Sequence, residues 1–207
     1  MTNPSQGNLF IVTAASGAGK TSLVKAILKN NSNIDLSISY TTRLPRLGEV
    51  DGVDYRFINK ESFLEMQKNN IFLETAECHG AFYGTSKEII LEIVESGRDI
   101  ILEIDWQGAF SVKKIYQAAI SIFILPPSMN ALEERLKKRG QDSDETISKR
   151  LSVAQDEMSH LEKFDYVTIN DDFDCALIEL ESIIMSETLK TNKQLHRHQA
   201  LINELTK

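Results

Sequence analysis

The sequence predicts an α/β fold in which one parallel sheet lies between two layers of helices. Four short apolar runs predict buried strands, and they begin near Leu9, Asp99, Ser121 and Tyr166. Amphipathic helical patterns follow the first and the last of these runs. Apolar strands that alternate with helices in a chain of 207 residues are typical of a parallel sheet with helical crossovers.

The first strand leads into a glycine-rich loop. Residues 9–12 are apolar, residues 14–19 read AASGAG, Lys20 and Thr21 follow, and a helical pattern with an apolar face begins there. A strand, a small-residue loop and a helix are the setting of the phosphate-binding loop G-x-x-x-x-G-K-[ST]. Backbone N–H groups at the helix N-terminus surround phosphates in such a loop, and the helix dipole favours negative charge there.

This loop predicts a nucleoside triphosphate site. Lys20 is expected to reach the β- and γ-phosphates, and the Thr21 hydroxyl is expected on Mg²⁺. Ala14 stands where the motif has Gly, which is acceptable if φ is negative there. A glycine-rich turn with a surface lysine is the alternative. The expected ATP-binding residues in the loop are Ala14, Ala15, Ser16, Gly17, Ala18, Gly19, Lys20, Thr21 and Ser22.

Residues 37–97 predict a small α+β insertion. A strand is expected over residues 36–40, and a loop with Arg43 and Arg46 follows. Two guanidinium groups on one loop fit a phosphate monoester, although they are also compatible with solvated surface residues.

The rest of the insertion alternates between strands and capped helices. Glu74 is a carboxylate inside an apolar strand, so it either faces water or receives hydrogen-bond donors in a cleft. The expected elements are a strand at 54–58, a helix from Asn59 through Gln67, a strand at 71–77, an aromatic turn at 81–85 and a helix capped by Ser86 and ended by Gly97.

The strand at residues 99–105 ends in acidic residues, Glu103 and Asp105. A carboxylate at the end of a buried strand holds Mg²⁺ or its water in many phosphoryl-transfer enzymes. Residues 105–108 also match the D-x-x-G motif of GTPases. The base-reading N-K-x-D motif is missing, because residues 59–62 read NKES. The D-x-x-G match is therefore interpreted as a coincidence.

A basic helical hairpin follows the strand at 121–125. Ser128 is expected to cap its first helix, and the second begins near Glu145. The first helix is expected to expose Arg135, Lys137, Lys138 and Arg139. Such a hairpin predicts a lid that closes on phosphates. The alternative is two ordinary solvated helices, and this alternative is preferred for Lys137 and Lys138.

The last strand, at 166–169, precedes an amphipathic helix and a polar tail after about Leu189. His196 and His198 lie in that tail without neighbours suited to a metal, so a solvated helix is expected there.

The composition narrows the range of partners and compartments. The net charge is −7, which argues against a nucleic-acid or anionic-membrane binder. The sequence has no long apolar run and no signal-peptide pattern at its start, and Cys78 and Cys175 are expected as free thiols. A cytoplasmic protein is the expectation.

Together these motifs resemble the guanylate kinase family. The resemblance rests on the phosphate loop and on the segments SYTTRLPRLGEVDGVDYRF, FLETAECHGAFYGTS, ILEIDWQGA, ILPPS, RLKKRG and INDD. It implies a P-loop NTPase fold and an enzyme that transfers a phosphoryl group from ATP with Mg²⁺ to GMP, and to dGMP, in a direct in-line step. The implied units are a core (1–36, 98–127 and 159–207), a GMP-binding subdomain (37–97) and a lid (128–158).

The resemblance also implies roles for individual residues. Arg43, Arg46, Tyr55 and Tyr83 would hold the GMP phosphate, and Ser39, Glu74 and Thr85 would read guanine with Asp105 nearby. Lys20, Arg135, Arg139 and Arg150 would surround the transferred group, together with Arg43 as a catalytic residue, and Asn170 would lie near adenine. Glu103, grouped with the GMP-binding residues, stands where the family usually has Asp.

Two alternatives stay open at this point. One is a kinase for another nucleoside monophosphate, and the other is a non-catalytic binding module of the same fold. The intact phosphate loop argues against the module. The expected partners are ATP and GMP, with no nucleic acid and no membrane, and whether the chain forms a homo-oligomer stays open.

Overall fold

Strands and helices alternate through the computed structural model, which describes residues 6–78, 80–138 and 143–207. In chain order its elements are β1 (Leu9–Ala14), α1 (Lys20–Asn30), β2 (Ile34–Ser37), β3 (Tyr40–Thr41), β4 (Arg56–Phe57), α2 (Lys60–Lys68), β5 (Phe72–Cys78), β6 (Ala81–Ser86), α3 (Lys87–Glu95), β7 (Asp99–Glu103), α4 (Trp106–Ile115), β8 (Ile120–Leu125), α5 (Met129–Lys138), α6 (Asp144–Ser159), a 3₁₀ turn (Leu161–Lys163), β9 (Tyr166–Ile169), α7 (Phe173–Thr188), α8 (Thr191–Arg197) and α9 (Gln199–Leu205).

The central sheet has the strand order β2-β7-β1-β8-β9, and every neighbouring pair is parallel. Successive side chains of a strand point to opposite faces of the sheet, and helices cover both faces here. Phe10 and Val12 pack in the layer of α1 and α7, whereas Leu9 and Ile11 pack in the layer of α3 and α4. The three-layer α/β core predicted from the apolar runs is confirmed.

A second, smaller sheet has the order β4-β3-β6-β5 and belongs to the insertion. Its β3–β6 and β5–β6 pairs are antiparallel, and β3–β4 is parallel. Helix α2 packs on it through buried Phe63, whose ring stacks on Phe72 and Phe82 at centroid distances of 4.7 and 5.6 Å. The Asn59 cap of α2 is confirmed by a 2.8 Å hydrogen bond from the Ser62 amide.

Two predictions for the insertion are wrong. The strand expected over 36–40 is divided, since residues 36–37 pair in the central sheet and Tyr40 pairs with Gly84 in the small sheet. The aromatic turn expected at 81–85 is strand β6, because Phe82 and Tyr83 pair with β5. Aromatic residues favour strands, and Gly84 is required there by packing, with Phe72 atoms 2.9 Å from where its Cβ would lie.

Helix α4 was not predicted. Its N-cap is Asp105, whose Oδ1 accepts a 2.8 Å hydrogen bond from the Gly108 amide. The D-x-x-G sequence is therefore a helix start, and the strand before it ends at Glu103.

The predicted helical hairpin is α5 and α6, capped by Ser128 and Ser143. It packs through a small apolar cluster that includes Ala15 of the glycine-rich loop. The expected exposure of Arg135 is wrong, because its guanidinium donates to the backbone of the core; Arg139 lies outside the described residues. Lys137 is exposed as expected and pairs with Glu133 at 2.6 Å.

Helix α7 covers the central sheet with Ala176, Leu180 and Ile184, as its pattern predicts. The tail forms α8 and α9, and His196 and His198 are exposed there. Both cysteines are free thiols. Every helix in the described part of the chain is too short or too polar to span a bilayer.

Candidate functional site

A cleft of about 220 Å³ opens at the carboxyl ends of β1 and β7, where open α/β sheets bind ligands. Its walls come from the core, the insertion and α6. The core contributes Ala14, Ala15, Ser16, Gly17, Gly19, Lys20, Thr21, Glu103, Ile104 and Asp105. The opposite wall, from the insertion, consists of Ser39, Arg43, Arg46, Tyr55, Glu74, Ala76, Cys78 and Tyr83. Helix α6 contributes Glu157.

The glycine-rich loop between β1 and α1 is held in one conformation by its backbone. Gly17 and Gly19 have φ values of 98° and 100°, a region that favours glycine. Asn70 is the one residue other than glycine with positive φ in the described part of the chain, so Ala14 fits its position without strain. Asn170 donates from Nδ2 to the Ala18 carbonyl at 2.7 Å, and a Cβ on Gly19 would lie 2.3 Å from that nitrogen.

Three side chains meet where this loop enters α1. The Thr21 hydroxyl donates to Oε1 of Glu103, and Lys20 Nζ lies 3.9 Å from the same oxygen. Lys20 Nζ is also 3.5 Å from the carbonyl oxygen of Ile104. Glu103 therefore contacts the phosphate loop, although the resemblance grouped it with the GMP-binding residues. A hydroxyl and a carboxylate are hard oxygen ligands, so this corner suits Mg²⁺.

The arginine loop of the insertion is held by Glu49, which sequence reasoning missed. Its Oε1 accepts from Arg43 Nη2 at 2.8 Å, and its Oε2 accepts from the Arg46 amide at 2.7 Å. Burial opposes the charge on Arg43, but hydrogen bonds to Glu49 and Tyr83 raise its pKa above the ordinary value. The Arg43 guanidinium also lies 5.4 Å from the ring centroid of Tyr55. The Arg-x-x-Glu spacing was the available signal, and it is a weak one.

Glu74 is buried on the insertion wall, with 6% of its surface exposed. The Thr85 hydroxyl donates to its Oε1 at 2.6 Å. Burial raises the pKa of Glu74 to about 7, the Thr85 hydrogen bond opposes that rise, and the nearby charge of Asp105 adds to it. A buried carboxylate that lines a cleft is suited to accept hydrogen-bond donors from a ligand.

Glu157 is a second cleft carboxylate, and sequence reasoning missed it. It accepts a hydrogen bond from the Ser16 amide of the phosphate loop, and its Oε2 is buried without a partner among the described residues. Burial and, to a smaller extent, the charge of Asp105 raise the pKa of Glu157 to about 7, and the Ser16 hydrogen bond opposes that rise. A carboxylate three residues after buried Ala154, on the apolar face of α6, was the signal that could have revealed it.

The remaining predicted site residues lie around the cleft. Arg135 Nη2 donates to the carbonyl oxygen of Asn170 at 2.8 Å, and Arg135 Nη1 lies 3.4 Å from the carbonyl oxygen of Ala18. Arg150 lies on α6 close enough for its charge to act on Cys78, whose pKa is raised to about 11 mainly by burial. Thr85 lies behind Glu74, Ser22 is exposed on α1, and Arg139 lies outside the described residues.

Comparisons with known proteins converge on one family. The family model described as guanylate kinase matches residues 6–187. The guanylate kinase of Methylobacillus flagellatus is 55% identical over 200 residues, covering 97% of this chain and 99% of that protein. The guanylate kinase of Escherichia coli K12 is 50% identical over 202 residues, covering 97% and 98%. The crystal structure of guanylate kinase from Anaplasma phagocytophilum has a TM-score of 0.74 at 35% identity and covers 91% of this chain and 90% of its own.

Proposed function

The chain belongs to the guanylate kinase family, and from that premise we propose that it catalyses the ATP-dependent phosphorylation of GMP, and of dGMP, to the diphosphate. One observation carries the proposal: a phosphate loop, two arginines and a buried carboxylate line the same cleft. The proposed units are a core (1–36, 98–127 and 159–207), a GMP-binding subdomain (37–97) and a lid (128–158).

ATP is assigned to the core wall. The amides of residues 14–22 would cradle its phosphates, Lys20 would approach the β- and γ-phosphates, and Asn170 would lie near adenine. Mg²⁺ would be held by the Thr21 hydroxyl, by phosphate oxygens and by water, with the carboxylate of Glu103 close by. When bound, this ion neutralises charge on the β- and γ-phosphates.

GMP is assigned to the insertion wall. Arg43, Arg46, Tyr55 and Tyr83 would hold its phosphate, since paired guanidinium groups match a phosphate monoester. Glu74 would accept the two adjacent guanine donors, with Ser39 on the O6 side and Thr85 holding the carboxylate. Asp105 would support this wall from the start of α4.

Phosphoryl transfer needs positioning and charge neutralisation more than covalent chemistry. Two polyanions repel each other, so cations must lie on both sides of the reacting atoms. Lys20 supplies charge on the ATP side and Arg43 on the GMP side, while Arg135, Arg139 and Arg150 of the lid would surround the transferred group. Closure of the lid would exclude water, which is a competing acceptor.

The test is a coupled ADP-release assay with GMP, dGMP, AMP, UMP, CMP and dTMP as acceptors. We expect the highest kcat/KM with GMP and turnover with dGMP. A preference for another base would favour the alternative monophosphate kinase, and no turnover with any acceptor would favour a binding module. The two free thiols are compatible with the reducing cytoplasm, which we propose as its compartment.

A further inference from the structure

Gly108 lies in the first turn of α4, directly against the carboxylate of Glu74. A Cβ built on Gly108 would lie 2.8 Å from Oε2 of Glu74 and 3.2 Å from its Cδ. Real Cβ atoms essentially never show contacts below 3.0 Å. The backbone of α4 can therefore approach this carboxylate because residue 108 has no side chain.

The carboxylate of Glu74 is confined from both sides. The Thr85 hydroxyl on β6 holds Oε1 at 2.6 Å, and the backbone at Gly108 lies beside Oε2. The position of Gly108 is itself set by the cap of α4, since its amide donates to Asp105 Oδ1 at 2.8 Å. One hydrogen bond and one close backbone approach thus determine where the acceptor oxygens lie.

We propose that Gly108 is a positioning residue for base selection, which it sets by placing the Glu74 carboxylate at the depth where guanine donors reach it. This inference rests on the proposed function, because it assumes that Glu74 reads the base of GMP. It also assigns a second role to the D-x-x-G sequence, whose Asp caps a helix and whose Gly makes room for the specificity carboxylate.

Gly108→Ala separates this role from a merely structural one. In an ordinary helix interior, alanine is favoured over glycine, so the substitution should preserve or raise thermal stability. The crowded oxygen is the end of a flexible side chain, so the fold can absorb the Cβ by displacing Glu74. Misplacement of a charge-assisted acceptor should raise KM for GMP by about tenfold or more, while KM for ATP stays within about twofold.

A matched control lies one turn further along the same helix. The Ser111 hydroxyl donates to the Gln107 carbonyl at 2.9 Å. Ser111→Ala also introduces alanine into α4 and should leave KM for GMP unchanged.

A double-mutant cycle identifies the route of the effect. Because Gly108 acts through Glu74, Gly108→Ala should change KM for GMP little or not at all in a Glu74→Ala background. An unchanged KM for GMP in Gly108→Ala, or an equal increase in both backgrounds, would overturn the inference while leaving the proposed function intact. A wild-type protein inactive on GMP would overturn both.

Discussion

Glu103 illustrates what the length of a single side chain does at this site. The resemblance implies the shorter Asp at this position, whereas the Glu103 carboxylate accepts from the Thr21 hydroxyl and comes within 3.9 Å of Lys20 Nζ. These contacts lie on the phosphate-loop side of the cleft. We therefore expect substitution of Glu103 to change KM for ATP more than KM for GMP, in contrast to the GMP-binding role that the resemblance implied.

Lys20 tests the ATP wall at the scale of one charge. Lys20→Ala removes a cation that approaches the transferred phosphoryl group, and kcat should fall by about 10²-fold or more. The exposed Lys29 on the same helix gives the control, and Lys29→Ala should retain wild-type kcat in the same ADP-release assay. A Lys20→Ala variant with more than about a tenth of wild-type kcat would contradict the assignment.

Glu74 tests the base-reading wall. Glu74→Gln preserves size but turns one acceptor into a donor that faces guanine donors, so kcat/KM for GMP should fall by roughly 10²-fold or more. Affinity for ATP should change little, and the preference for GMP over AMP should shrink. Steady-state kinetics of both acceptors in both proteins make the measurement. An unchanged GMP-to-AMP ratio would mean that another group reads the base.

The same residue predicts a pH dependence. The pKa of Glu74 is raised to about 7, and the ionised form is the one that accepts both donors. KM for GMP should therefore fall as pH rises through about 7, and the dependence should flatten in Glu74→Gln. A KM that is flat with pH in the wild-type protein would contradict this.

At the scale of elements, α6 brings a titratable group to the phosphate loop. The ordinary pKa of a Glu is near 4.5, and that of Glu157 is raised to about 7. Between these values the folded protein binds more protons than the unfolded chain, so this group's contribution to the free energy of unfolding falls as pH rises. The raised pKa of Glu74 also makes the free energy of unfolding fall as pH rises. A variant of Glu157 is therefore needed to isolate its contribution.

Glu157→Gln should remove the loss of stability that Glu157 causes as pH rises, because the amide does not ionise. The difference in melting temperature between the variant and the wild type should grow in the variant's favour from about pH 5 to pH 8. Glu145→Gln, the same substitution at an exposed position on α6, is the control and should show no such trend. Thermal unfolding by circular dichroism measures both. A difference that is constant with pH would show that Glu157 titrates normally.

The elements differ in how far the sequence could predict them. The core strands were predictable because buried parallel strands are continuous apolar runs, and the Asn59, Ser86 and Ser128 caps follow from local chemistry. Strand β6 was missed because its aromatic residues and Gly84 look like a turn until their partners in β5 are known. Helix α4 was missed because the strand before it was predicted to continue to Asp105, which is the N-cap of the helix.

The site shows the same division. Lys20, Thr21 and Glu74 could be proposed from local context, since each lies in a recognisable loop or strand. Glu49 and Glu157 left only weak local signals and Gly108 left none, because their importance depends on contacts with side chains or amides in other parts of the chain. Long-range packing of this kind leaves little trace in a single sequence.

At the scale of the whole molecule, the cleft is lined by the core, the insertion and α6, and the proposed closure of the lid would move these parts relative to each other. Trp106 at the start of α4 stacks on His160, directly after α6, with ring centroids 3.8 Å apart. The sequence contains one tryptophan. Its fluorescence therefore reports on the contact between α4 and the residue that follows α6, the second helix of the proposed lid.

Closure of the lid on both nucleotides should change this fluorescence. A non-hydrolysable ATP analogue together with GMP should alter Trp106 emission more than either alone, since closure needs both phosphate groups. In His160→Ala the change should be much smaller, because the stacked partner is gone. No change at saturation, with binding verified by calorimetry, would show that α6 does not move against α4.

The cysteine in the cleft wall has a consequence for chemical resistance. Alkylating reagents and peroxide attack the thiolate form of cysteine. With its pKa raised to about 11 by burial and by the charges of Asp105 and Glu157, Cys78 stays protonated at neutral pH. Bound polyphosphates would add negative charge nearby and raise this pKa further. A cleft that must admit two nucleotides is thereby protected from covalent blockage, and most strongly while it is occupied by them.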